Sequence, residues 1–104
     1  MKRKDLAIAR NFKQLLQQRI ATLDVLVFGS RARGDAKADS DLDMFVVVEH
    51  STSDIEKYVS DCAWEAGFEH DMVIVPVVVG KDTMNGPLKE SVFIHNVYYD
   101  GVAI

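Results

Sequence analysis

Two aspartates spaced two apart, Asp41 and Asp43, follow the pair Gly29-Ser30 after an interval of ten residues, and this set defines the chemistry open to the chain. The stretch reads Leu26-Val27-Phe28-Gly29-Ser30-Arg31-Ala32-Arg33-Gly34, then a polar connection to Ser40, then Asp41-Leu42-Asp43-Met44-Phe45-Val46-Val47-Val48. An apolar strand therefore runs into a glycine-serine turn, and a second strand opens on two carboxylates. Side chains alternate across a strand, so Asp41 and Asp43 project from one face. Two hard oxygen ligands there suit Mg²⁺, which takes a few carboxylates together with substrate phosphates. The glycine lets backbone approach a phosphate, and Ser30 can cap a short helix whose N–H groups face an anion. Carboxylates for a metal and a turn for a triphosphate together point to nucleotidyl transfer.

The elements that must position these groups alternate along the chain. Lys4 to Ile20 carries Leu6, Ala9, Phe12, Leu15, Leu16 and Ile20 at helical spacing. Leu23 to Phe28 reads as a strand, and Ser30 to Arg33 as one helical turn ended by Gly34. Asp41 to Glu49 is nearly all apolar beyond its carboxylates, a pattern for burial on both faces. Ser53-Asp54 can cap a second helix whose stripe is Ile55, Tyr58, Val59, Cys62 and Ala66, ending at Gly67. Phe68 to Val79 is a valine-rich strand region, and Pro76 requires that it lie at an edge, bulge, or stop near Val75. Lys81 to Pro87 is a loop by composition, and Pro87 suits the first turn of a final helix running to about Asp100. Gly101 releases the chain into an apolar tail, Val102-Ala103-Ile104. This order predicts a single α/β (α+β) domain over residues 1–104, with helices packed on a small sheet.

Composition narrows the function. Hydrophobic residues at 48% and charged residues at 27% are ordinary for a soluble globular protein, and no apolar stretch has the length of a membrane span. A net charge of −4 argues against a general nucleic-acid surface, so no direct nucleic-acid binding is expected. The single cysteine, Cys62, excludes an internal disulfide and, with no secretory leader pattern, fits a cytoplasmic protein.

The segment Gly29-Ser30-x10-Asp41-x-Asp43, with Arg31-Ala32-Arg33-Gly34 inside it, resembles the signature of the minimal nucleotidyltransferases (MNT). These are the smallest members of the DNA polymerase β-like nucleotidyltransferase superfamily. The resemblance implies the mixed β-sheet of that superfamily's catalytic core. It also implies two Mg²⁺ ions, ATP as substrate, and transfer of AMP to a hydroxyl with release of pyrophosphate. Asp41 and Asp43 would hold both ions. The family pattern sets a third carboxylate at the start of the strand after the second helix, where Asp71 stands as ligand and possible base; Glu69, of the same parity, ranks behind it. Gly29 and Ser30 would bind the β- and γ-phosphates, and Arg31 or Arg33 would neutralise phosphate charge. Family members are commonly encoded beside a small helical HEPN protein, a ribonuclease toxin to which the MNT protein is antitoxin. AMP transfer to a tyrosine hydroxyl of that toxin is the activity this implies. Neutralisation by occlusion, without catalysis, is the competing reading, and a small-molecule acceptor a third.

The same residues admit plainer explanations. An EF-hand counted from Asp39 meets Met44 where glycine is needed and His50 where glutamate is needed. Asp39 to Asp43 would read as a solvated turn if Gly29-Ser30 were absent. His50, His70 and His95 lack ligand spacing with one another or with Cys62, which reads as a buried thiol. Trp64, Tyr98 and Tyr99 are candidate contact residues, with a core position equally open to Trp64. Ser30 lacks a nearby histidine and a nucleophile elbow.

Overall fold

The apolar run that begins at Leu42 lies at the centre of the sheet, where six of its seven residues are buried and Asp43 alone is half-buried. In the computed structural model, which describes residues 1–104, it is strand β2 (Leu42–Val48). Before it come helix α1 (Arg3–Gln17), strand β1 (Asp24–Phe28) and the short helix α2 (Gly29–Arg33). After it come helix α3 (Ser53–Phe68), strand β3 (Ile74–Gly80), helices α4 (Lys81–Asn85) and α5 (Val92–Asp100), and the two-residue strand β4 (Val102–Ala103). The sheet order is β3-β2-β1-β4, with β2 parallel to β3, and with β1 antiparallel to both β2 and β4. It is the small mixed sheet covered by helices that the sequence implies. A parallel pair needs a long crossover, which α3 supplies between β2 and β3.

Alternation along the strands divides the core in two. Val25, Val27, Leu42, Met44, Val46 and Val48 face α1 and α3, meeting Ile8, Phe12 and Leu16 from one helix and Val59, Cys62 and Ala66 from the other. Leu26, Phe45, Val47 and Val79 face the other way, under Ile94 and Val97 of α5. Asp43 has the parity of Phe45 and Val47, so it belongs to this second, thinly covered face.

Several elements differ from the sequence expectation. Thr52, not Ser53, caps α3, its hydroxyl accepting from the Ile55 amide at 3.2 Å. The third strand starts at Ile74, because α3 runs on to Phe68 and a tight turn follows in which the Met72 amide donates to the Gly67 carbonyl. Gly67 is close-packed there: a Cβ would overlap the Met72 carbonyl oxygen. Residues 81–85 form a helical turn, not a loop, and the last helix begins at Val92 with Ser91 as its cap, leaving Pro87 outside. The apolar tail pairs with β1 as an edge strand. Pro76 is explained by the edge position of β3, the first of the three readings it allowed.

Candidate functional site

The site arises where β1 ends beside the start of β2. Antiparallel register sets Phe28 opposite Asp43, so the next residue, Gly29, turns directly over that carboxylate. Gly29 has φ +73°, in the left-handed region that favours glycine, and a Cβ on it would overlap Asp43 Oδ2, with Cγ at 3.4 Å. Bare backbone therefore lies against a carboxylate, and only glycine fits. The chain then winds into α2, which ends at Gly34 (φ +86°), the residue the sequence marks as its stop. Ser30 is the second residue of α2 and makes no capping bond, so the capping role expected of it is not seen; the residue before the helix is Phe28. The first-turn N–H groups of a helix have no helical acceptors, and α2 begins at the glycine packed against Asp43.

Asp41 lies exposed just before β2, and Asp43 half-buried within it. Burial pushes the Asp43 carboxyl up from its ordinary value, the Asp41 charge pushes it further, and Arg33 pulls it down. Three ion pairs occur in the structure, Arg31–Asp5, Arg33–Asp35 and His50–Asp82, and neither Asp41 nor Asp43 belongs to one. Two mutually repelling carboxylates with only oxygen donors, beside bare backbone, form a donor set that fits a hard divalent cation completed by phosphate oxygens and water.

The two arginines of α2 part company. Arg31, expected as a candidate phosphate ligand, is 6% exposed and turned inward. Its Nη1 donates to both Asp5 carboxylate oxygens at 3.1 and 3.2 Å, its Nε and Nη2 to the Ser40 carbonyl, and Nη2 also to the Ala38 carbonyl. With all these donors committed, Arg31 is a clamp that ties α1 and the Ala38–Ser40 connection to α2, holding the approach to Asp41 in place. Arg33 is exposed, 3.3 Å from Asp35, and its charge is felt at Asp43.

Asp71 is not brought into the pair. It occupies the turn after α3 with φ +52°, three residues before β3, and parallel register sets Val75 beside Asp43. The Leu42 amide donates to the Val73 carbonyl, so valines, not carboxylates, flank both aspartates on the neighbouring strand. Asp71 instead lines a cavity of about 400 Å³ together with Asp39, Ser40 and Asp41. Glu69 is exposed at the end of α3. No group of three or more His, Cys, Asp or Glu side chains converges at metal-binding range.

Asp5 is the site-supporting residue that sequence reading missed. Its signal was available: position 5 falls on the buried stripe Asp5, Ile8, Ala9, Phe12, Leu16, where a carboxylate needs a buried cation.

The family model described as a nucleotidyltransferase domain matches residues 9–99. The chain belongs to that family. Nucleotidyltransferases of this family generally use a nucleoside triphosphate and a divalent metal. Among solved structures, this nucleotidyltransferase domain is similar to a toxin–antitoxin crystallised with AMP-PNP, at 18% identity and TM-score 0.64, over 91% of this chain and 70% of that one. It is also similar to a candidate nucleotidyltransferase from Sulfolobus solfataricus, at 22% identity and TM-score 0.55, over 99% and 87% of the two chains. These likenesses establish the fold. No curated protein matches the sequence.

Proposed function

We propose that this nucleotidyltransferase domain is the MNT antitoxin of a HEPN/MNT pair, transferring AMP from ATP to a tyrosine hydroxyl of its HEPN partner. The observation that carries this reading is the Asp43 carboxylate packed against left-handed Gly29, with Asp41 two residues away and no cation paired to either. The fold shared with a toxin–antitoxin crystallised with AMP-PNP supports both the nucleotide and the partner.

Asp41 and Asp43 would hold Mg²⁺, with Asp71 the candidate third carboxylate from the shared cavity wall. When bound, the metal neutralises phosphate charge and lowers the pKa of the attacking hydroxyl. Gly29 and Ser30 would offer backbone N–H groups to the β- and γ-phosphates, Gly29 bringing no side chain of its own. Arg33 supplies a positive charge from the exposed side of α2. The acceptor oxygen forms a bond to the α-phosphorus, the bond from that phosphorus to the bridging oxygen breaks, and pyrophosphate leaves. The hydroxyl proton passes to a carboxylate at the cavity wall, the role given to Asp71.

A second reading has its own observation. Because valines flank the aspartates and Asp71 stands apart, a protein that neutralises its partner by binding alone fits the same structure. Labelled ATP, Mg²⁺ and the partner separate the two. Catalysis predicts label on the partner, falling by about 10³-fold or more in an Asp41→Ala/Asp43→Ala variant, a barrier increase of about 4 kcal/mol. Neutralisation that survives this change without label establishes occlusion.

A further inference from the structure

The outer face of α3 carries an aromatic pair that the fold does not use. Trp64 and Phe68, one helical turn apart, stack with ring centroids 4.9 Å apart and planes at 12°, while remaining 69% and 72% exposed. They line a cavity of about 480 Å³ that continues over Val73 and Pro76 of the β3 edge, and Val73 is itself 62% exposed. Large aromatics left in water next to an apolar groove mark a contact surface.

Three further facts say what covers it. Beside the row Trp64–Phe68 runs the row Asp61, Glu65, Glu69, exposed and spaced by helical turns, with Asp71 at its far end. Lys57 is the one cation on that row, so the helix surface beyond the aromatic pair is acidic, and Asp71 adds one acid to the groove lining itself. Next, Val73 uses its carbonyl toward β2, which by parallel alternation sets Ile74, Pro76 and Val78 outward. Pro76 has no N–H, so an added strand cannot pair along this edge, and the occupant must bind by side chains. Finally, Asp71, Met72 and Val73 line both this groove and the cavity containing Asp41. Whatever docks here borders the cavity that Asp41 lines.

The geometry points to the α3–β3 groove as the docking surface for a basic partner face, an apolar side chain flanked by Lys or Arg, which delivers the acceptor hydroxyl to the neighbouring cavity. A second copy of this chain would bring acidic rim against acidic rim, and an anionic membrane or nucleic acid would be repelled. The partner's identity rests on the proposed HEPN pairing; the surface and its chemistry rest on the groove.

Two readouts on one set of proteins test this: the Kd for the purified HEPN partner, and AMP transfer to it. Trp64→Ala/Phe68→Ala should weaken binding at least tenfold with an unchanged circular dichroism spectrum. Asp61→Lys/Glu65→Lys should weaken it too and flatten its salt dependence. Asp41→Ala/Asp43→Ala should bind as the parent does and transfer nothing. Binding of the aromatic variant within twofold of the parent overturns the groove and leaves nucleotidyl transfer standing. Transfer that persists in the aspartate variant sinks the catalytic reading and leaves the groove standing. Parent protein that self-associates in sedimentation, and becomes monomeric in the aromatic variant, shows a second copy as the occupant and overturns the proposal. A parent that does not bind the partner at all overturns both the surface and the pairing.

Discussion

Fifteen buried side chains form the core on the α1/α3 side of the sheet, against six on the α5 side, where Phe93 is 48% exposed and Val75 38%. Both faces draw alternate residues from the same strands, so the contrast comes from what covers them. Two long helices seal one side. On the other, α5 covers only part of the sheet, and Asp41, Asp43 and Gly29 lie at its uncovered end. The deep core holds the strands rigid, which lets the opposite face keep two repelling carboxylates near water. Stability and the proposed chemistry are thus separated across a single sheet.

Truncation should expose this division most strongly in the core. Phe12→Ala, at a fully buried site of α1, should cost about 3–5 kcal/mol by chemical denaturation. Phe93→Ala, which removes edge-on contacts with Phe28 and Phe45 from a half-exposed ring, should cost roughly 1 kcal/mol. Equal losses would mean that the open face carries as much of the fold as the sealed one.

The two arginines sharpen the same contrast. Arg31→Ala leaves Asp5 buried without its cation and should destabilise by about 3–5 kcal/mol. Arg33→Ala should stay within about 0.5 kcal/mol, as an exposed pair contributes little, yet weaken ATP binding. Melting curves paired with ATP titrations check this. A destabilised Arg33 variant with unchanged affinity would reverse the assigned roles.

Asp43 should give the smallest effect, and one with a definite sign. Its carboxyl binds a proton more tightly folded than unfolded, because burial and Asp41 both disfavour the charge. Its contribution therefore favours the fold below the ordinary carboxylate value of 3.8 and is lost as pH rises through the raised folded value. Asp43→Asn should accordingly melt higher than the parent at neutral pH without metal, the difference closing in acid. A variant less stable at neutral pH would show that the charge is held by a partner within the fold.

Legibility in the sequence followed the range of the interactions. Gly29, Gly34 and the two-face burial of β2 are set by neighbours along the chain, and each was readable from the residues alone. Family membership followed from the same stretch. Arg31 was misread because its partner Asp5 lies 26 residues away and only the folded helix brings them together. The C-terminal pairing with β1 is similarly distant. Asp71 was expected at a strand head because the family pattern sets a carboxylate there and the run from Met72 is apolar. The close packing of Gly67 against the Met72 carbonyl instead spends those residues on a turn. Asn85-Gly86-Pro87 suggested a loop reaching back to Lys81, while the helical turn before it has no strong local signal.

Titration calorimetry of AMP-PNP into the protein, with and without Mg²⁺, meets the central claim head on. The open end of the sheet should give saturable, Mg²⁺-dependent binding that vanishes in Asp41→Ala/Asp43→Ala while the melting temperature holds or rises. Absence of binding at millimolar nucleotide, or binding indifferent to both the metal and the two aspartates, would contradict it.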